Sequence, residues 1–533
     1  MKTNRLGMFG TSAATVALAI ALTAVSASTV QAQDFPTNDP VVRQIWAEGM
    51  DPERSQLEPL AQALLDSIGP RLSGSPGYQR AVDWAVERIS SWGVQAEKEQ
   101  YGTWVGWETD YIHADLIAPR RRSLEAHTLA WTPSTNGPIE GDVVAFPALR
   151  SQAEFDAWAA EVSGKFVLLS PAEPTCRAPE SWNAFGQEGA WDRVQAQRQE
   201  IALDWNQRLL PLGGQVRVAQ ALENAGAAGI ITSRWSEGWG VNKIFSSSTR
   251  EIASIDVSCE DFGLLTRLAE NGQGPRMRLD VEARVTDAQA PMYNVIGRIP
   301  GTELPDEYVL LTAHIDSWHA ASGATDNGSG TTMMLEAFRL LTEAYPNPRR
   351  TILLTLWGGE EQGLVGSNAF AEDHPEVVDG LQAAFNQDNG TWRVDYIRMQ
   401  GFTGAGAHFG RWFSLIPREI SQFVELDIPG EPERGGSDHM AFICRQVPGF
   451  RLQSNYPDYR QYTWHTNRDT YDKLVFEDLR HNATLAAMLA YAASEDPDRV
   501  PNDVRVVPEG PPLSGQWPAC STARRSWDGI SPR

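Results

Sequence analysis

Hydrophobic and polar residues follow different periods in different parts of this chain of 533 residues. Near the beginning, helical spacing predicts helices at Gln56–Ile68 and Tyr78–Trp92, and each of these segments is followed by a glycine. The segment Val94–Tyr101 has the pattern of a strand. The N-terminal part therefore predicts two helices that lead into a sheet.

From Met292 onward, apolar runs of strand length alternate with helical patterns. The predicted strands are Tyr308–Ala313, Thr351–Trp357, Leu381–Phe385 and Val447–Leu452, and the predicted helices are Thr331–Ala344, Ser367–Glu372 and Phe476–Ala493. Strands that are apolar throughout are typical of a sheet that helices cover on both faces. We therefore expect an α/β fold with a mixed, largely parallel, doubly wound sheet.

A different pattern lies between these two parts, in about residues 113–288. Short apolar runs separated by turns predict strands at Gly141–Phe146, Phe166–Ser170, Ala228–Thr232 and Ile252–Val257, with a helix at Val216–Ala225. This pattern indicates a β-rich unit inserted into the α/β domain. A Trp-rich polar stretch, Ser181–Trp205, interrupts it, and the sequence alone offers no explanation for that stretch.

The predicted organisation has five parts. Residues 1–32 are a signal peptide, because Lys2 and Arg5 precede the apolar run Thr11–Val25, which small residues follow up to Ala32. Residues 33–112 and 289–500 form the main domain around the insert at 113–288, and residues 501–533 are an irregular tail rich in Pro and Gly. The apolar run is too short for a membrane anchor, so we expect an exported protein, periplasmic or secreted, without membrane insertion.

Charge and cysteine content narrow the possible partners. The formal net charge of −23 argues against nucleic acid, because binding to phosphates needs a basic surface. The four cysteines are Cys176, Cys259, Cys444 and Cys520, and they show no CxxC spacing that would indicate a metal site. In an oxidising compartment they allow three disulfide pairings, and buried free thiols are an equally good interpretation.

Residue types that bind metals follow the ends of three predicted strands. His314 and Asp388 follow two of them, and the Glu360-Glu361 pair follows a third strand after two glycines. In open α/β sheets, ligands bind beyond the carboxyl ends of the strands, so we expect these side chains to converge. The sequence therefore predicts a site at this edge of the sheet.

Two further candidates lie in loops at the same edge, Asp326 in a glycine-rich turn that opens a helix and His465 before the last helix. The predicted ligands are His314, Asp326, Glu361, Asp388 and His465. Oxygen and imidazole donors suit Zn²⁺, and Mn²⁺ or Co²⁺ would also accept them. We expect two metal ions, because two ions about 3.5–4 Å apart activate water and stabilise an oxyanion.

The neighbours of these ligands suggest further roles. Glu360 directly precedes a ligand, so we expect it to act as the general base. Asp316 lies two residues after His314 in an extended segment and so on the same face, where its carboxylate would orient the imidazole. Asp469 is expected to brace the loop of His465 in a similar way.

Several motifs resemble the co-catalytic zinc aminopeptidase family M28. They are His314-Ile315-Asp316, Asp326-Asn327-Gly328-Ser329-Gly330, Glu360-Glu361-Gln362-Gly363, Gln387-Asp388 and His465-Thr466-Asn467-Arg468-Asp469. The segment Arg71-Leu72-Ser73-Gly74-Ser75 resembles the carboxypeptidase Q branch of this family, and the insert resembles a protease-associated domain. The resemblance assigns His314 and Asp388 to one zinc ion, Glu361 and His465 to the other, and Asp326 to both.

This sequence departs from many family members at positions that affect substrate binding. Trp464 stands where relatives often carry a tyrosine that assists the oxyanion, and its indole N–H is the only comparable donor there. Asp438, in a segment that resembles one in aminopeptidases, and Arg434 are candidates to recognise an ammonium or a carboxylate group. We therefore name Trp464, Asp438 and Arg434 as possible substrate-binding or oxyanion-binding residues.

These observations predict an exported two-zinc exopeptidase that acts on peptides, with a preference for the amino end. A dipeptidase or carboxypeptidase like carboxypeptidase Q is the first alternative. A non-catalytic receptor on the same scaffold is an alternative of another class, and its relatives typically lose metal ligands that this chain keeps. A single-zinc glutaminyl cyclase shares the fold, but the long insert argues against it.

Overall fold

The structure is a computed structural model, and it describes residues 36–388, 390–510 and 513–527. The predicted signal peptide, residues 1–32, lies outside the described residues. The α-helices are α1 (Pro40–Gly49), α2 (Leu57–Gln62), α3 (Pro76–Ser91), α4 (Gln152–Ala159), α5 (Pro179–Phe185), α6 (Ala190–Leu209), α7 (Gln215–Asn224), α8 (Cys259–Glu270), α9 (Ser329–Ala344), α10 (Val365–Asp373), α11 (Pro375–Asp379), α12 (Ala405–Phe413), α13 (Arg418–Ser421), α14 (Met440–Ile443) and α15 (Phe476–Glu495).

The strands are β1 (Gln95–Ala118), β2 (Arg122–Ser123), β3 (Ala126–Thr128), β4 (Ile139–Ala145), β5 (Phe166–Leu168), β6 (Gly229–Thr232), β7 (Ala253–Val257), β8 (Arg276–Ile299), β9 (Leu304–His314), β10 (Arg350–Trp357), β11 (Leu381–Asn386), β12 (Val394–Arg398), β13 (Glu425–Asp427), β14 (Gly449–Ser454), β15 (Glu509–Gly510) and β16 (Leu513–Ser514). Short π-helices span Ala63–Ile68 and Tyr459–Thr463, and Ala324–Gly328 forms a turn in which Asp326 and Asn327 have non-helical dihedral angles.

The central part of the sheet is mixed and largely parallel. Strands β10, β9, β11 and β14 run parallel in that order, and β8 pairs antiparallel with β10 at one side. Helices cover both faces, because successive residues of β9 belong to different cores. Val309 and Leu311 pack in the core that includes α9 and α15, whereas Leu310 packs in a second core with α10, α11 and α14. This arrangement confirms the expected α/β fold class.

Two long antiparallel strands connect the central sheet to the inserted part. Strands β1 and β8 pair from Gln95 with Arg298 to Ala118 with Arg276. The far end of β8 pairs with β4, and strands β4, β5, β6 and β7 continue the same sheet in parallel. Strand β1 runs without interruption through the predicted boundary near residue 113, and β8 runs through the one near residue 288, so the division of the chain into domains stays a prediction.

The insert contains more helix than its sequence pattern predicts. The Trp-rich stretch that the sequence did not explain forms α5 and α6. In α6 most side chains face solvent, and Ala190, Trp205 and Leu209 are its buried residues. A helix with so few buried positions gives a weak periodic signal. Trp205 and Leu209 complete a separate core of the insert with Phe146, Val167 and Leu222 among others.

Two disulfides link distant parts of the chain, Cys176 with Cys259 and Cys444 with Cys520. They settle the question of pairing that the sequence left open, and all four cysteines are bonded. Within the described residues, no helix combines the length and the apolar character that a membrane-spanning segment needs.

Candidate active site

The predicted ligands meet at the carboxyl ends of the central strands. His314 is the last residue of β9, the Glu360-Glu361 pair follows β10 after two glycines, and Asp388 lies two residues beyond β11. Because β9 pairs in parallel with both β10 and β11, the three strand ends are neighbours. The sheet topology therefore brings together side chains that are far apart in sequence.

The five predicted ligands form two adjoining groups. His314 Nε2 lies 3.2 Å from Asp388 Oδ1 and 3.4 Å from Asp326 Oδ1. His465 Nε2 lies 2.9 Å from Glu361 Oε2 and 3.3 Å from Asp326 Oδ2. Within each group of three, the possible ligand atoms all lie within 4.8 Å of one another. Asp326 belongs to both groups, with one carboxylate oxygen facing each histidine.

The position of Asp326 depends on contacts from two other loops. The carboxylate of Asp469 accepts hydrogen bonds from the Thr325 N–H at 2.9 Å, the Thr325 hydroxyl at 2.8 Å and the Asp326 N–H at 3.0 Å. The side-chain amide of Asn327 donates to the Gln387 carbonyl oxygen at 2.9 Å. Asp469 lies in the loop of His465, so its carboxylate joins that loop to the turn of Asp326.

Close packing at Gly330 explains one glycine of this turn. A Cβ atom at position 330 would lie 2.3 Å from Asn327 Oδ1 and 2.4 Å from Gln387 Oε1. These distances are too short for non-bonded atoms, so a side chain there would displace the contact that joins the turn to the loop of Asp388.

Asp316 acts on the site differently from the prediction. The Nδ1 atom of His314 lies 3.1 Å from the main-chain oxygen of Asp316 and 3.6 Å from its carboxylate, so the carbonyl is the hydrogen-bond acceptor. The carboxylate accepts instead from the main-chain N–H groups of Glu360 and Glu361 at 3.2 and 3.3 Å. Asp316 thus orients the imidazole through its main chain and fixes the Glu360-Glu361 pair through its side chain.

Arg71 is a buried residue beneath the site that the sequence analysis did not single out for a role. Its guanidinium group donates to four main-chain carbonyl oxygens, at distances from 2.6 to 3.1 Å. Those oxygens belong to Gly69, Ile315, Ser322 and Gly323. Arg71 therefore ties the segment after His314 to the loop that precedes Asp326. A buried arginine in the motif Arg71-Leu72-Ser73 gives no periodic signal, which is why spacing alone could not assign it.

Burial dominates the electrostatics of the site. Burial raises the pKa of Glu361 to about 7, although His465 acts in the opposite direction. Burial also raises the pKa of Glu360 well above its ordinary value, and the nearby carboxylate of Asp388 adds to this shift against the effect of His314. Burial alone would lower the pKa of His465, but the facing Glu361 carboxylate raises it to about 9. Carboxylates collected in a buried site favour either protons or cations.

The described residues fit divalent metal ions. Buried oxygens of Asp326 and Glu361, Oδ2 and Oε1, have no hydrogen-bond partner within the described part of the chain. A buried carboxylate oxygen without a partner is costly, and a metal ion removes that cost. The donors are carboxylate oxygens and imidazole nitrogens, which are ligands that zinc binds.

Comparison with known proteins agrees with this geometry. Residues 294–490 match the sequence profile of peptidase family M28. Carboxypeptidase Q of Rattus norvegicus is 24% identical over 439 residues, which cover 82% of this chain and 85% of that protein. Residues 294–490 are an M28 peptidase domain.

Solved structures share the fold of this chain. The peptidase M28 precursor of Shewanella amazonensis SB2B aligns with a TM-score of 0.62 at 23% identity, over 87% of this chain and 98% of that structure. The aminopeptidase of Aneurinibacillus sp. strain AM-1 aligns with a TM-score of 0.52 at 18% identity, over 90% and 100% of the two chains. The family match and the carboxypeptidase Q relatives together make the protein a zinc-dependent metallopeptidase.

The three predicted substrate residues of the M28 domain lie in different surroundings. Trp464 lines a cavity with Glu360, and its ring stacks on the His465 imidazole with a centroid distance of 3.9 Å. Asp438 is fully buried and accepts a hydrogen bond from the Ser367 hydroxyl at 2.5 Å. Arg434 is exposed and donates to the main chain of Gln516. The structure thus brings Trp464 to the ligand cluster, whereas neither Asp438 nor Arg434 lines the cavities described there.

Cavities beside the five predicted ligands contain residues that the sequence did not assign to the site. Arg451, Tyr459 and Arg460 line the cavity that holds Glu360, Asp388 and His465. A second cavity, next to Glu361, is lined by Trp104, Arg234, Phe245, Trp318, Gln362 and Trp527 among others. Gln362 and Trp318 lie in or next to the ligand motifs, but the other residues come from parts of the chain with no metal-binding motif, so spacing of ligands gave no signal for them.

Proposed function

We propose that this protein is an exported two-zinc exopeptidase that hydrolyses terminal peptide bonds of short peptides. The observation that carries the proposal is the shared position of Asp326, whose two oxygens face the two histidines at 3.4 and 3.3 Å. Glu360 lines the same cavity as Asp326, Glu361, Asp388 and His465. A complete ligand set and an adjacent acid–base group are what this reaction requires.

Two zinc ions would each have three protein ligands in this site. His314, Asp326 and Asp388 would hold one ion, and Asp326, Glu361 and His465 would hold the other. When bound, the two ions would lower the pKa of a water molecule and stabilise negative charge on the substrate carbonyl oxygen. The carboxylates of Asp326, Glu361 and Asp388 would offset three of the four positive charges that two zinc ions carry.

Glu360 would transfer the proton of the reaction. Its carboxylate takes a proton from the attacking water and then gives it to the nitrogen of the departing amine. The C–N bond therefore breaks with a neutral amine as the leaving group and not an amide anion. The N–H of Glu360 bonds to Asp316 at 3.2 Å and keeps the side chain at the cavity.

The cations of the site favour the carboxyl end of a peptide over the amino end. Asp438, the acidic candidate that the sequence offered for binding an amino end, is buried against Ser367. Arginines line both cavities, Arg451 and Arg460 on one and Arg234 and Arg524 on the other. Guanidinium groups recognise carboxylates, so we propose a dipeptidase or carboxypeptidase specificity of the carboxypeptidase Q kind.

Export is part of the proposal because of the disulfides. Cys176–Cys259 and Cys444–Cys520 both join segments far apart in sequence, and such bonds persist in oxidising compartments. The leader-like pattern at residues 1–32 supports the same compartment. Detection of the mature chain outside the cytoplasm, with a new N-terminus near residue 33, tests this part.

The substitution Glu360→Gln tests the catalytic proposal. The variant keeps the shape of the side chain but cannot take up a proton, so we expect kcat on free dipeptides to fall by about 10²–10⁴-fold. Zinc content, measured by elemental analysis, should stay near two ions per chain. Glu376→Gln, which removes the same charge at an exposed side chain, is the matched control. Hydrolysis at the normal rate by Glu360→Gln would contradict the mechanism, and a chain that binds no zinc would contradict the metal site.

Blocked substrates test the end specificity separately. A carboxyl-end enzyme should cleave N-acetylated dipeptides and leave C-amidated dipeptides intact, because the amide removes the charge that an arginine recognises. The opposite result would restore the amino-end specificity expected from the sequence.

A further inference from the structure

The cavity beside Glu361 has aromatic walls from distant segments of the chain. Trp104 lies on β1, Phe245 in the insert, Trp318 after β9 and Trp527 in the C-terminal tail. The cavity has a volume of about 200 Å³. A cavity of roughly 150 Å³ is enough to bind benzene, so this one accommodates an aromatic side chain. Aromatic rings also favour edge and offset contacts with another ring.

This aromatic cavity adjoins one of the two ligand groups. Glu361 and Trp318 line it and also line a small cavity that contains Asp326 and His465. The His465 ring lies 5.1 Å from the Phe245 ring and 5.8 Å from the Trp318 ring, between centroids. A side chain bound in the aromatic cavity therefore belongs to a residue next to the peptide bond being cleaved.

Polar atoms around this cavity lack partners. Gln362 is 8% exposed, and neither its side-chain oxygen nor its nitrogen has a hydrogen-bond partner in the described part of the protein. The same holds for the indole N–H groups of Trp104, Trp318 and Trp527. Each buried group of this kind costs about 1–3 kcal/mol. Several of them around one cavity indicate a ligand that brings hydrogen-bond acceptors.

A positive charge lies at the same cavity. The guanidinium carbon of Arg234 lies 4.8 Å from the centre of the Phe245 ring. Among the described residues no carboxylate forms a salt bridge with the Arg234 guanidinium, although the charge of the buried Asp256, whose carboxylate accepts the Arg234 main-chain N–H, acts on it. An arginine placed over an aromatic ring keeps its donors in one plane, which suits a carboxylate with two oxygens.

The tail holds Trp527 in place as one wall. Arg525 forms ion pairs with Asp373 at 2.8 Å and Glu372 at 3.2 Å, and its main-chain oxygen accepts from the Thr103 N–H at 2.9 Å. The Trp527 ring lies 4.8 Å from the Trp104 ring and 4.4 Å from the Trp131 ring. These contacts fix the tail beside β1, so Trp527 is a formed part of the cavity.

We infer that this cavity selects substrates whose carboxy-terminal residue is aromatic, with Trp527 as a specificity-determining wall and Arg234 as the partner of the terminal carboxylate. The inference rests on the proposed function, because it assigns a substrate class to that same site. Phenylalanine at the carboxyl end supplies both the ring and the acceptor oxygens that the cavity lacks.

A dipeptide panel tests the inference. With zinc bound, the unmodified enzyme should cleave Ala-Phe about tenfold more efficiently than Ala-Ala, as kcat/KM, because ring contacts of about 1.4 kcal/mol correspond to a factor of ten. Trp527→Ala should abolish this preference, so that Ala-Phe and Ala-Ala have similar kcat/KM, and Trp527→Phe should retain part of it. Trp239→Ala, which removes an exposed tryptophan of the insert, is the matched control. Arg234→Met should lower kcat/KM for both free dipeptides, because it removes the proposed partner of the terminal carboxylate.

A binding measurement separates the inference from the proposed function. Calorimetry of Ala-Phe with Glu360→Gln measures the cavity without turnover, and adding Trp527→Ala should weaken that binding by about tenfold. Hydrolysis of Ala-Ala with no preference for Ala-Phe, or a preference that survives Trp527→Ala, would overturn the inference and leave the proposed function intact. Binding that depends on Trp527 without any hydrolysis by the unmodified enzyme would instead contradict the proposed function.

Discussion

Replacing Asp469 with asparagine tests whether the Asp469 carboxylate holds the turn of Asp326. This carboxylate contacts one predicted metal ligand, Asp326, and does so through the main-chain N–H of that residue. Asp469 is 2% exposed and accepts three hydrogen bonds, two at Oδ1 from Thr325 and one at Oδ2 from the Asp326 N–H. An asparagine keeps one acceptor oxygen, but its NH₂ group faces a donor at the other position. At least one bond to a charged group is lost.

The size of the effect follows from that single lost bond. A hydrogen bond to a charged group contributes about 1.5–3 kcal/mol, which corresponds to roughly 10–100-fold in a binding constant. Replacing a residue that positions a metal ligand typically weakens metal affinity by a similar factor of about 10–100. We therefore expect Asp469→Asn to bind zinc about 10–100-fold more weakly, with kcat at saturating zinc within about threefold of the unmodified enzyme.

The assay is a titration of activity against free zinc in a chelator buffer. Asp472→Asn is the matched control, because Asp472 lies in the same loop with a side chain that is 72% exposed. An unchanged zinc midpoint in Asp469→Asn would refute the argument that its carboxylate positions Asp326. A loss of kcat with unchanged zinc affinity would also refute it, since Asp469 would then act in the chemical step.

Two further predictions concern stability. Arg71→Met leaves four buried carbonyl oxygens without their donor, so we expect the free energy of unfolding to fall by about 3–5 kcal/mol in denaturant titrations, and an unchanged value would contradict the role of Arg71. Burial acts to raise the pKa of Glu433, but its hydrogen bond with His439 lowers it to about 2, below the ordinary 4.5. The corresponding stability, about 3 kcal/mol, is present above pH 4.5 and is lost as the pH falls toward 2. Thermal unfolding of Glu433→Gln should lack that part of the pH dependence, and identical curves would show that the pair does not stabilise the fold.

The helices and strands of the main domain were predictable from sequence because their patterns are local. The strands predicted at Tyr308–Ala313 and Thr351–Trp357 correspond to β9 and β10, and the helix predicted at Phe476–Ala493 corresponds to α15. Each has a continuous apolar run or a helical period that can be recognised within the segment itself, without knowledge of the rest of the fold. Helix α6 was missed because only a few of its side chains are buried, so its sequence has almost no period to detect.

The convergence of His314, Glu361 and Asp388 was also predictable, because strand ends of a parallel sheet meet at one edge. The partners of individual hydrogen bonds were not predictable. Spacing placed the Asp316 carboxylate near the imidazole of His314, yet that carboxylate bonds to the main chain of Glu360 and Glu361. The alternation of side chains in an extended segment predicts the face on which a side chain lies. It does not predict which hydrogen-bond donor on that face is nearest.

The sequence by itself determined the α/β fold class, the candidate ligands and Glu360, because these depend on local periodicity and on residue types at strand ends. Only the tertiary structure decided that Arg71 lies beneath the site, that Asp469 holds Asp326, and that Trp104 and Trp527 wall one cavity. The two tryptophans, one on β1 and one in the tail, are far apart in sequence and meet with their rings 4.8 Å apart. Contacts of this kind follow from how the sheet, the insert and the tail pack together, and no local pattern of residues encodes them.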